Sequence, residues 1–155
     1  MDLRVGIVSS VNLNNCTARV SFPDRANVVS NELPILVRGS LQNKDYWLPH
    51  PGEQVVCIFL PTGNAQGFVI GSIYSKKDAP PVANANKRHI TFSDGTSVEY
   101  DSSTHTLTID AKGIVKVIGN VTVTGDVIAD EVSLKNHVHN GVQSGLGNTE
   151  KPVRS

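Results

Sequence analysis

Thiols, aromatics and net charge are all scarce in this chain of 155 residues. Lys plus Arg and Asp plus Glu number 14 each, so the formal net charge is zero. A neutral chain has no general electrostatic grip on nucleic acid or on an anionic membrane surface. Aromatic residues make up 5%, with one Trp. Cys16 and Cys57 are the only cysteines. Both lie in apolar, strand-like stretches and are read as buried free thiols of a protein made in a reducing compartment. A disulfide or a reactive nucleophile is the alternative. The N-terminus MDLRVGIVSS has charges at Asp2 and Arg4, a short apolar run and no small-residue cleavage site, so no signal peptide is expected. Residues 54–75 carry no charge and are long enough to span a bilayer. PTGNAQG breaks that run, and two short strands around a turn are expected instead.

Several catalytic signatures are also missing. There is no G-x-S-x-G elbow, no P-loop and no H-E-x-x-H. Asp94, Glu99 and Asp101 are close in sequence, as the paired carboxylates of a glycosidase can be. Here they flank a hairpin signal and are expected to be a solvated turn, with a calcium contact as the minor alternative.

What the sequence does have is β-branched side chains, which favour pleated strands. An all-β fold is expected. LRVGIVSSV, CTARVSF, NELPILVRG, EQVVCIFLP and GFVIGSIYS form five apolar segments within residues 3–75, separated by turn residues. Five short strands with irregular loops fit a Greek-key barrel of the OB type over residues 1–75. Tyr46 and Trp47 are its main aromatic anchor, expected in the core or at the barrel rim, or else on a binding surface. Residues 76–89 contain Pro80 and Pro81 and lack apolar periodicity, so they read as a linker.

From Ile90 the pattern tightens. ITF-SDG-TSVEY reads as a hairpin around Asp94-Gly95. THTLTID, IVKVIG, NVTVTG, DVIAD and EVSL follow, with Leu107 and Ile109, Val115 and Val117, and Val121 and Val123 alternating with polar residues. Gly113, Gly119 and Gly125 recur six residues apart, as in a β-solenoid or β-prism. Strands this short, each with one narrow apolar face, cannot enclose a core alone. Three copies wound around an axis could, making residues 90–134 a trimeric intertwined β-helix. The alternative is an ordinary sheet packed on the N-terminal barrel.

Residues 135–155 open with KNHVHNGVQSG. In an extended strand His137 and His139 point to one side. Two imidazoles make a poor site alone, because a structural zinc takes about four ligands. Three chains would supply six imidazole nitrogens, an octahedral set that suits iron(II), with nickel and cobalt open and zinc less natural. Such a saturated ion has a structural role and cannot readily activate water. His50, His89 and His105 show no comparable pairing and are expected to be surface or rim residues.

DYWLPHPGEQVVCIFLPTGNAQGFVIGSIYS and NHVHNGVQSGLGNTEKPV, in that order and with β-prism strands between, resemble the baseplate assembly protein V family. Its members are central tail spikes of contractile-tailed phages, with related spikes in R-type bacteriocins and, more distantly, in type VI secretion systems. The first stretch is similar to the family's W-x-P-x-x-G-E-x-V and G-x-x-x-G-S-x-Y-S segments. The second is similar to its H-x-H apex with a Gly/Ser/Thr/Pro-rich wrap. The resemblance implies an OB-fold hub domain in the virion tail baseplate, under the tail tube, and a homotrimeric β-helix ending in a metal-bound apex. It implies one Fe2+ per trimer held by His137 and His139 of three chains. Further buried calcium or chloride ions occur in the family, with no residues assigned to them here. It also implies assembly in the host cytoplasm, contact with hub and tube proteins, and mechanical passage through the host outer membrane when the sheath contracts. No catalysis is expected, and this chain, ending at Ser155, is expected to carry no fused lytic domain. The competing readings are an OB-fold nucleic-acid or protein-binding module in an oligomeric β-protein, and a metalloenzyme using the histidine pair.

Overall fold

The computed structural model describes residues 2–61, 66–138 and 145. Its regular structure is strand throughout, apart from one 3-10 turn at Pro23–Arg25. The chain divides into two compact units, Met1–Asp110 and Ala111–Ser155.

The first unit begins with β1 (Asp2–Asn12) and β2 (Thr17–Phe22), followed by the two-residue strands β3 (Val28–Val29) and β4 (Leu33–Pro34). β5 (Gln54–Phe59) and β6 (Gly67–Ser72) complete the sheet. β1 lies between β2 and β5, β5 pairs with β6, and β2 also pairs with β3 and β4, all antiparallel. Just past β4, Ile35 bridges in parallel to Val69 of β6, and the Leu36 amide donates to the Val69 carbonyl at 2.8 Å. The pairing therefore runs from β4 through β2, β1, β5 and β6 and back to Ile35.

Strand alternation explains the core. Every second residue of β2 and β5 turns inward, so Ala18, Val20, Phe22, Val55, Cys57 and Phe59 are buried. Val8, Leu33 and Val69 complete that core. Each large apolar side chain removed from water contributes about 1.5–3 kcal/mol. Phe22 and Phe59 meet edge to face with centroids 5.7 Å apart. The Arg4 guanidinium lies 4.9 Å from the Phe59 ring and 5.7 Å from that of Phe22. β1 carries Gly6 where the strands close up: a Cβ there would stand 2.4 Å from Val20 Cγ1 and 2.7 Å from the Ser21 carbonyl oxygen.

Three expectations change here. NELPILVRG forms only the two-residue β4, because Pro34 has no N–H for a ladder and the chain leaves the sheet after Ile35. Tyr46 and Trp47 are exposed at 64% and 58%, so the aromatic anchor of the core is the Phe22–Phe59 pair. Trp47 instead packs on Phe92 with centroids 5.8 Å apart. Cys16 sits in the turn before β2 with φ 52° and is only half-buried, whereas Cys57 is fully buried. Residues 54–75 hold β5 and β6, and among the described residues no helix is long and apolar enough to cross a membrane.

A separate antiparallel sheet follows: β7 (Lys87–Thr91), β8 (Ser97–Asp101) and β9 (Thr106–Asp110). β7 begins within the stretch read as a linker. The Asp94-Gly95 turn joins β7 to β8, with Gly95 at φ 85° and the Phe92 amide donating to the Thr96 carbonyl at 2.8 Å. Register places Ile90 opposite Val98 and Tyr100 opposite Leu107 on one face.

In the second unit, the described residues from Ala111 to Val127 form no strand. IVKVIG and NVTVTG, expected as strands, have no ladder partner among the described residues of a single chain. Alternation specifies which side chains share a face, but a strand also needs a neighbour to receive its N–H and C=O groups. Regular pairing resumes only in β10 (Ile128–Ala129) and β11 (Val132–Ser133), an antiparallel hairpin. Asp130 and Glu131 make its two-residue turn at φ 48° and 70°, the left-handed values a type I′ turn needs.

Candidate functional site

The hairpin delivers the chain to His137. Residues 134–136 form a turn, so His137 leaves a turn rather than an extended strand. Its amide donates to the Ser133 carbonyl at 3.0 Å, closing that turn. Its ring Nδ1 lies 3.0 Å from both the Ser133 and the Leu134 carbonyl oxygens. Two acceptors facing Nδ1 call for a proton there, and in the neutral ring that leaves the lone pair on Nε2. That tautomer fits a metal ligand, since ligating histidines usually donate the other ring N–H to a carbonyl or carboxylate. His139 lies outside the described residues. Among the described residues, no group of three or more His, Cys, Asp or Glu side chains comes together as a metal site.

Upstream, Asp126 secures the hairpin base. Its Oδ2 accepts from the Ser133 hydroxyl at 2.5 Å, and its Oδ1 accepts from the Val127 and Lys135 amides at 2.8 and 3.0 Å. The Ser133 hydroxyl, and then the Lys135 amide, hold this carboxyl below its ordinary range. Sequence reading passed over Asp126. The signal was a carboxylate seven residues before a serine, across a two-residue turn, but that pairing means something only once the register is known.

The other histidines are placed differently. His50 is largely exposed, with Nδ1 3.6 Å from Glu53. His105 sits in the turn before β9 at φ 57°. His89 departs from the expected surface residue: Nδ1 lies 2.9 Å from Glu99 Oε2 and Nε2 lies 2.7 Å from Thr91 Oγ1. Lys87 Nζ reaches Glu99 Oε1 at 2.6 Å and stands 4.0 Å from Asp101. Lys87, and after it His89, hold the Glu99 carboxyl below its usual value. Glu99 therefore belongs to a cross-strand network on β7 and β8 and not to a solvated turn, whereas Asp101 accepts from the Ser103 amide and hydroxyl in the turn after β8, and Asp94 sits in the turn before β8, bonded to Thr96. Burial pushes the Cys57 thiol up to about 11, which makes it a poor nucleophile.

The sequence around His137, and most of the chain before it, is similar to known proteins. The GpV Apex motif family matches residues 132–153, a span that starts at β11 and takes in both His137 and His139. Over 135 residues the chain is 29% identical to the Spike protein of Escherichia phage P2, covering 86% of this chain. It spans 63% of that relative's length. The chain is thus similar to this apex family at its C-terminal end and to a phage tail spike over most of its sequence.

Proposed function

We propose that this chain is the tail spike of a contractile injection device, a structural protein without catalysis, sited in the tail baseplate of the virion. The observation that carries the reading is the apex match over residues 132–153, which follows a stretch whose apolar side chains one chain leaves uncovered. Three chains wind that stretch into a β-helix and bury its valines and isoleucines on a common axis. The N-terminal strands, with β4 and β6 linked through the parallel Ile35–Val69 bridge, act as an OB-type barrel docked on hub and tube proteins. Sheath contraction then drives the apex through the host outer membrane, and assembly takes place beforehand in the host cytoplasm.

At the apex, His137 and His139 of three chains hold one iron(II) ion. The ion ties together chain ends that would otherwise fray first under load. The carbonyl-bound Nδ1 of His137 supports this, because it leaves Nε2 as the ligating nitrogen.

Two experiments test the reading. Immunogold labelling of purified particles should mark the tip of the contractile tail; label on the head or along the sheath contradicts the placement. Elemental analysis should find one iron per three chains, absent from the His137→Ala, His139→Ala double variant. Iron retained by that variant contradicts the site.

A further inference from the structure

Asp126 lies eleven residues before His137 and six before the region matched by the apex family. Its contacts lie in the hairpin that leads to His137.

The β10–β11 turn has a backbone that L residues adopt reluctantly. Asp130 and Glu131 take φ 48° and 70° with no glycine between them. Only two residue pairs follow, Ala129 with Val132 and Ile128 with Ser133, before the Leu134 amide adds one more bond to the Val127 carbonyl at 2.8 Å. So short a hairpin is marginal on ladder bonds alone. Asp126 supplies the rest. Its carboxylate accepts from three donors, two of them on Ser133 and Lys135, which flank Leu134. Bonds to an ionised acceptor are stronger than neutral ones.

The two carbonyls that receive His137 Nδ1 belong to Ser133 and Leu134, the residues clamped between those contacts. Ser133 also accepts the Asn136 amide on Oγ at 2.9 Å, which fixes the start of the turn. A chain of bonds thus runs from the Asp126 carboxylate through Ser133 to the ring. Movement of the 133–134 backbone would turn the imidazole and release its tautomer. With both oxygens engaged by protein donors, the carboxylate acts through the hairpin and does not serve as a ligand.

We infer that Asp126 is a positioning residue for the apex metal: by clamping Ser133 and Lys135 it fixes the carbonyls that orient His137 and hold its proton on Nδ1. The inference rests on the metal reading above. Asp126→Ala, Asp126→Asn and His137→Ala are made in the full chain, loaded with iron(II) without oxygen and challenged with chelator. Iron per chain is followed by elemental analysis and assembly by native mass. Ring nitrogen shifts of His137 are recorded in the metal-free protein. Asp126→Ala should keep the native mass, lose iron about 10–100-fold more readily and give a mixture of His137 tautomers. Asp126→Asn, which can still accept the two amides, should fall between it and the unaltered chain. If His137→Ala loses iron while Asp126→Ala holds it as the unaltered chain does, with Nδ1 still protonated, Asp126 has no positioning role and the metal reading stands. If His137→Ala also holds iron unchanged, the metal reading fails and the inference fails with it. Should Asp126→Ala fail to assemble, Asp126→Asn decides by the same two measurements: wild-type iron retention and tautomer would overturn the inference.

Discussion

Residues 2–72 and residues 111–134 use the same β-branched side chains, yet one chain buries only the first set. Val8, Val20, Val55 and Val69 are at most 2% exposed. Ile114, Ile118 and Val121 are 94%, 88% and 68% exposed. The difference lies in partners and not in composition. In the first region six strands pair with one another, and the link from Ile35 to Val69 lets inward side chains face inward side chains. In the second, no strand forms before β10, so the same kind of residue has nothing to face. An apolar stretch of this extent rarely stays open to water in a soluble protein and marks an interface. The comparison teaches that burial in the N-terminal sheet belongs to the chain, while on the proposed trimer burial of residues 111–134 would belong to the assembly.

The contrast can be broken from either side. Val121→Asp should have the largest effect: a carboxylate at three equivalent places on the axis costs several kcal/mol or more and should abolish assembly, read as loss of native mass. The N-terminal sheet of the separated chains should keep its strand signal. Leu33→Ala is the converse. It empties a site that is 1% exposed and should lower the stability of the N-terminal sheet by about 2–5 kcal/mol in denaturant melts, leaving the apex metal in place. If Val121→Asp assembles normally, or Leu33→Ala strips the metal, the two regions are not independent in the way described.

Removing both His137 and His139 should have a narrower effect, loosening the apex and sparing everything before β10, as amide exchange would show. The smallest effect concerns β7 and β8. Glu99 is held below its ordinary value of 4.5, so its contribution is present above that pH and lost as pH falls through the lowered value. Lys87 is held above 10.5, so its contribution is present below that pH and lost as pH rises through the raised value. Exchange of β7 and β8 amides should therefore be slowest between pH 4.5 and 10.5 after correction for intrinsic rates. Glu99→Gln should shrink the acid limb and leave the part that Asp101 contributes.

Much of the fold was legible because period-2 alternation is a local signal. CTARVSF and QVVCIF place Ala18, Val20, Phe22, Val55, Cys57 and Phe59 inward without any knowledge of neighbours. Asp94-Gly95 announced its hairpin for the same reason. What sequence could not show was pairing between distant residues. Arg4 over Phe22 and Phe59, His89 with Glu99, and Asp126 with Ser133 all depend on register. Tyr46 and Trp47 are outside the core, on the loop between β4 and β5, which removes the core part of the expectation and leaves rim or surface. At the apex, His137 stood out by residue type, but Asp126, which accepts from the Ser133 hydroxyl, lies seven and eleven residues upstream of Ser133 and His137 and carries no motif.

The central claim is that three chains together bury what one chain exposes, and the most direct test is the native mass of the purified protein by light scattering. The account predicts three times the chain mass of 16.6 kDa, unchanged on dilution into the nanomolar range. A mass of 16.6 kDa, with the C-terminal unit still protected from proteolysis, would contradict it.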